Sequence, residues 1–170
     1  PASQTAATFL IHDPGSLGWG TWTRAWNKFE PDTQKVIEQI KAKKLKPAFD
    51  FWGAYPFFRM LHQHKNGKVS SWAIRWRGTA YIHDMLTLYP VHSLVRHDGN
   101  VAAATHHFKE EDWLYTDIWQ HEIPVADIPV ANNLEMEKVF AHFLRYHAGM
   151  TIQAKIKNRL KQYWKKIAGS

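Results

Sequence analysis

The stretch that decides the fold runs from residue 57 to residue 77 and reads FFRMLHQHKNGKVSSWAIRWR. At its centre Asn66-Gly67 separates two apolar-rich runs. That dipeptide suits a type I′ turn, which needs positive φ at both central positions. The spacing therefore predicts a β-hairpin pairing His64 with Val69, His62 with Ser71, Leu61 with Trp72 and Phe57 with Trp76. Side chains alternate across a strand, so one face carries Phe57, Leu61, Trp72, Ile74 and Trp76 as core. The opposite face carries His62, His64, Ser71, Arg75 and Arg77, with Phe58 and Met60 toward its far end.

Working outward, a second hairpin is expected at Asp98-Gly99, with a strand over 79–88 between the two and another over 113–120. Residues 6–12 read as a short strand closed by Asp13-Pro14-Gly15 and a glycine-rich loop to Gly20. Trp22, Trp26 and Phe29 stand at helical spacing, and Val36, Ile37 and Ile40 mark a second helix over 32–45 that Pro47 stops. Beyond the proline-spaced connector 123–130, Asn132 or Asn133 caps a helix with Val139, Phe140, Phe143 and Leu144 on its apolar side. Ile152, Ile156, Leu160, Trp164 and Ile167 then form an i, i+4 stripe flanked by bases. The expected class is a single α+β domain over 1–170. It comprises N-terminal helices, a five- to six-stranded, mostly antiparallel meander and a long basic amphipathic C-terminal helix. That order is similar to helix-grip and cone-shaped ligand-binding folds, a likeness of topology alone.

Composition narrows the function classes. The 170 residues hold 22 Lys and Arg against 15 Asp and Glu, a formal charge of +7, with 45% apolar and 14% aromatic residues. Such a chain can bury a core rather than remain disordered. Zero Cys excludes disulfides, thiolate zinc sites and cysteine nucleophiles. No apolar run of about 18 residues occurs and no secretory signal is visible, so a soluble chain without a membrane span is expected. Residues 101–131 carry one base against six acids, whereas 132–170 carry eight bases against two acids. A basic end facing an acidic middle suits a polyanion partner, or two segments that neutralise each other.

The eleven His supply the candidate chemistry. On a strand, His62 and His64 point the same way and converge on a divalent ion, Mg, Mn or Zn. Replication-initiator and transposase nucleases are similar in placing a His-x-His on a strand and a nucleophilic Tyr on a later helix. That likeness implies Tyr163 as nucleophile. Arg75 would stabilise transition-state charge, and Arg77, Lys155, Arg159, Lys161, Lys165 and Lys166 would contact DNA or RNA phosphates. The bland reading of the pair is two solvated histidines beside a turn. Of the three dipeptides His12-Asp13, His83-Asp84 and His97-Asp98, His83 and Asp84 cannot chelate one ion side by side, because neighbours on a strand face opposite ways, and His97-Asp98 lies at a turn, where Asp is expected for backbone reasons. His106-His107 with Glu110, Glu111 and Asp112 offers mixed metal ligands, or simply a solvated acidic loop.

The leading expectation is a nucleic-acid-binding domain with a metal-dependent phosphodiesterase or nuclease activity. A second is a small-molecule-binding or enzymatic domain with an aromatic cavity between curved sheet and C-terminal helix, lined by Tyr81, His83, His92, His107 and Tyr115. A third is a non-enzymatic assembly protein that meets an acidic protein partner, or itself, through the acidic 109–122 segment and the basic tail.

Overall fold

The computed structural model describes residues 7–96, 116–124 and 126–147. Within them the order is β1 (Thr8–Ile11), α1 (Thr23–Trp26), α2 (Thr33–Ala42), α3 (Lys46–Phe49), α4 (Phe57–Lys65), α5 (Trp72–Ile82), β2 (Thr87–Pro90) and α6 (Leu134–His147).

The decisive stretch is a helical hairpin, not a β-hairpin. Asn66 is right-handed at φ −87° and only Gly67 is left-handed, at φ 69°, so the pair cannot form a type I′ turn. It ends α4 instead. Gly67 N–H donates to His64 O at 3.0 Å and Lys68 N–H to Gln63 O at 2.9 Å, the two bonds of a Schellman motif. Four residues on, the Ser71 hydroxyl accepts from Ile74 N–H at 3.3 Å and starts α5. In a helix Phe58 and Leu61 share the buried side, with Phe57 and Met60 partly buried against the same core.

The expected five- to six-stranded meander is therefore overturned. Among the described residues the sheet has two strands, antiparallel, with Phe9 opposite Tyr89 and Ile11 opposite Thr87. Only 87–88 of the expected 79–88 strand lie in β2, which runs on to Pro90, because 79–82 complete α5. Residues 116–120 have no regular structure. The Asp98-Gly99 hairpin and the stripe from Ile152 to Ile167 lie outside the described residues.

Helix α2 forms where its pattern predicts, with the Asp32 carboxylate accepting from Gln34 N–H and Lys35 N–H and with Val36, Ile37 and Ile40 buried. These three pack with Phe49, Phe58, Leu61, Ile74, Tyr81 and Ile82 as the main core. Gly78 lets α5 approach α2, since a Cβ there would collide with Val36. Helix α6 starts at the Asn133 side chain, which accepts from Met136 N–H at 3.1 Å. The Asn133 N–H in turn donates to Leu10 O on β1 at 2.7 Å. Phe140 of α6 then packs edge-on against Phe9 and Tyr89 of the sheet.

Candidate functional site

The histidine site of the sequence reading does not assemble. At 3.6 residues per turn, positions i and i+2 stand about 200° apart around α4. His64 Nδ1 lies 2.9 Å from the Thr33 hydroxyl of α2, while the His62 ring packs edge-on against Phe58 with centroids 5.1 Å apart. Arg75 donates to Pro31 O at 2.9 Å and lies over the Phe29 ring. Arg77 is buried, its guanidinium donating to the Asp13 carboxylate and to Phe49 O and lying over the rings of Phe49, Phe51, Phe57 and Tyr81. It is committed to the core rather than presented to a phosphate. Tyr163, Lys155, Arg159, Lys161, Lys165 and Lys166 lie outside the described residues. No group of three or more metal-ligating side chains occurs among the described residues.

The polar lining expected for an aromatic cavity also separates. Tyr81 is buried beside Arg77, and its phenol is pushed well above its ordinary pKa by burial. His83 is exposed at the end of α5, and His92 stacks on Trp119 at 3.8 Å beside a small cleft of about 220 Å³. His107 and Tyr115 lie outside the described residues. The dipeptides pair crosswise instead: His12 Nε2 meets the Asp84 carboxylate at 2.7 Å, while Asp13 meets Arg77.

A different site does assemble. Two helices each carry tryptophans four residues apart around one turn, Trp22 and Trp26 at α1 and Trp72 and Trp76 on α5. Trp19, from the loop after β1, fits between them. Its ring centroid is 5.4 Å from that of Trp72 and 5.8 Å from that of Trp76, and Trp26 is 5.3 Å from Trp76. Trp76 is 4% exposed and forms the floor, whereas Trp22 at 65%, Trp72 at 42% and Trp26 at 40% keep much of their surface in water. Five of the nine tryptophans thus share one patch.

Beside this patch opens a cleft of about 400 Å³, walled by Trp19, Trp22 and Trp76, by Pro14 and Gly15, and by Met85 to Leu88. The loop carrying Trp19 is moored at three points. The Tyr89 hydroxyl accepts from Gly15 N–H at 2.8 Å and donates to Asp13 O at 2.9 Å. Arg77 holds the Asp13 side chain. Gly18, left-handed at φ 56°, passes so close to Val95 that a Cβ would collide. Burial pushes the Asp13 carboxyl up, with the Arg77 charge pulling the other way. Among the described residues Arg24 is the one charged residue of the lining, and no carboxylate faces the cleft. Its guanidinium lies 4.9 Å over the Trp22 ring.

Sequence reasoning placed Trp72 and Trp76 in a β-core and so never brought them to Trp22 and Trp26. The shared i, i+4 spacing was the signal available. No protein family, curated protein or solved structure matches the chain.

Proposed function

We propose that this chain is a binding module that takes a saccharide ring in the tryptophan-walled cleft. The observation that carries the reading is the exposed indole of Trp22, which walls the cleft together with Trp19 and Trp76, where the described lining holds no carboxylate. An indole face left in water is apolar area that a ligand gains by covering. The cleft volume falls within the range of about 300–1,000 Å³ typical of small-molecule sites. A wholly apolar ligand gains most from enclosure, and this cleft is open to solvent on one side. A pyranose ring has an apolar C–H face for an indole and hydroxyl edges for water, Thr21 and Thr87, both of which line the cleft. The reading is one of binding, since His62 and His64 face different neighbours.

A second reading, base stacking of single-stranded DNA or RNA, draws on the same indoles and on the net charge of +7. It needs a run of cations along the backbone path, and among the described residues Arg24 is the one cation that lines the cleft. Tryptophan fluorescence titrated with a panel of oligosaccharides and with single-stranded oligonucleotides separates the two. Saturable, salt-independent quenching by a saccharide is the expected result. Salt-dependent quenching by oligonucleotides alone would replace it with the second reading.

A further inference from the structure

We infer that the saccharide carries an anionic substituent, a carboxylate or a phosphate ester, and that Arg24 is the residue that selects for it. The inference rests on the saccharide reading of the cleft. Arg24 lines the cleft and is exposed, and among the described residues no carboxylate pairs with it. The arginines of α5 are otherwise engaged, Arg75 with Pro31 O and Arg77 with Asp13. The Trp22 ring covers one face of the Arg24 guanidinium at 4.9 Å, which orients the planar group and leaves its N–H edges free. A guanidinium held by stacking, with its in-plane donors unused, matches a carboxylate or phosphate bidentately. The other described lining residues carry no charge, so among them nothing opposes an anion and the one positive charge of Arg24 favours it. A neutral ring would leave that charge unanswered.

The test measures affinities of the 170-residue chain by tryptophan fluorescence for gluco-, galacto- and manno-configured sugars, their uronates and their 6-phosphates. For at least one configuration, a charged member should bind about tenfold more tightly than its neutral parent. Arg24→Gln should remove that preference, and Arg24→Lys should restore only part of it, because an ammonium lacks the planar fork. Comparing uronate with 6-phosphate identifies which anion the site takes. Equal affinity for charged and neutral members, or a preference that survives Arg24→Gln, overturns the role of Arg24 while leaving a saccharide site in place. If no sugar of either kind quenches the indoles, the saccharide reading falls with it.

Discussion

The Arg77 guanidinium and the Asp13 carboxylate form a buried ion pair between the middle of α5 and the loop that carries Trp19. Its environment is aromatic, with Phe57 3.9 Å and Phe51 4.8 Å from the guanidinium carbon. Removing one partner of such a pair leaves an uncompensated charge in the interior, at a cost of about 3–5 kcal/mol. Arg77→Met should therefore lower the unfolding free energy by about that amount in urea titrations. Asp13→Asn retains an oxygen to accept from Arg77 but leaves the guanidinium without a counter-charge, so it should cost a comparable amount. Combining Asp13→Asn with Arg77→Met should recover part of the loss, since no buried carboxylate is then left alone. A double variant that loses the full sum of the two single losses would show that the pair is not coupled.

Helices α2 to α5 all end on the same pair of Schellman hydrogen bonds, and four different residues occupy the left-handed position: Lys44, Phe51, Gly67 and Asp84. Outside glycine that conformation costs about 1–2 kcal/mol. Lys44 is exposed, so Lys44→Gly should stabilise the fold by up to about 1 kcal/mol, net of the added freedom of the unfolded chain. Gly67→Ala should destabilise it by about 1 kcal/mol. Asp84→Gly relieves the same strain but forfeits the bond to His12, so its net effect should lie nearer zero. Phe51 is fully buried, and Phe51→Gly should destabilise strongly through lost packing. Thermal midpoints for the four variants test this ordering. A destabilised Lys44→Gly would contradict it.

The same motif explains what was legible in the sequence. Asn-Gly serves both as a hairpin turn and as a helix stop, and the dipeptide alone does not choose between them. The choice lies with Ser71 as an N-cap and with Phe57, Phe58 and Leu61, whose spacing of one, three and four fits a helix. Helix α5 conceals itself because it is buried on nearly all sides from Ile74 to Ile82, so no polar face marks a 3.6-residue period. Its Trp, Ile and Tyr content resembles that of a strand. Helix α2 was legible because it joins a capping Asp to a one-sided apolar stripe, whereas α6 was legible in its Asn cap and in Phe140 and Leu144 but not in Val139 and Phe143, which are exposed. The cleft was hidden as a consequence of α5, since of the three tryptophans that wall it Trp76 belongs to that helix and Trp19 stands against it.

Two histidines predict a pH dependence. Partial burial lowers the pKa of His64, helped by the Arg75 charge, and a partial loss of hydration lowers that of the largely exposed His83, helped by the charges of Lys28 and Lys43. Each folded value thus lies below the ordinary value of about 6.5, and the unfolded chain binds more protons in the interval between. Their contribution to stability is fully present above about pH 6.5 and is lost as pH falls through the folded values. The urea midpoint should decline from pH 7 toward pH 5. In the variant combining His64→Gln with His83→Gln, the slope of that decline should be shallower, whatever the change in absolute stability. A slope equal to wild type would assign the acid sensitivity to other groups.

The tryptophans divide by depth, and this division separates binding from folding. Trp22 and Trp72 keep 65% and 42% of their surface exposed, so removing either ring takes little from the core. Trp22→Ala and Trp72→Ala should each shift the unfolding midpoint only slightly. Trp22 walls the cleft, so Trp22→Ala should weaken saccharide binding by about tenfold, the equivalent of one lost stacking contact of roughly 1.4 kcal/mol, whereas Trp72 lies outside the lining and Trp72→Ala should leave binding nearly unchanged. Trp76 is the buried floor, in contact with Trp19, Trp26 and Phe29, and Trp76→Ala should cost about 3–5 kcal/mol of stability. Trp76→Phe keeps an apolar ring at the floor and should retain measurable binding. Trp22 leaves one further mark on the site, because its loss removes the surface on which Arg24 stacks. Trp22→Ala should then reduce affinity for a charged sugar more than for its neutral parent, whereas Trp72→Ala should leave both nearly unchanged. Fluorescence titrations of the two variants, each on a chain shown to be folded by circular dichroism, decide the point, and an equal loss for charged and neutral sugars in Trp22→Ala would uncouple Trp22 from Arg24.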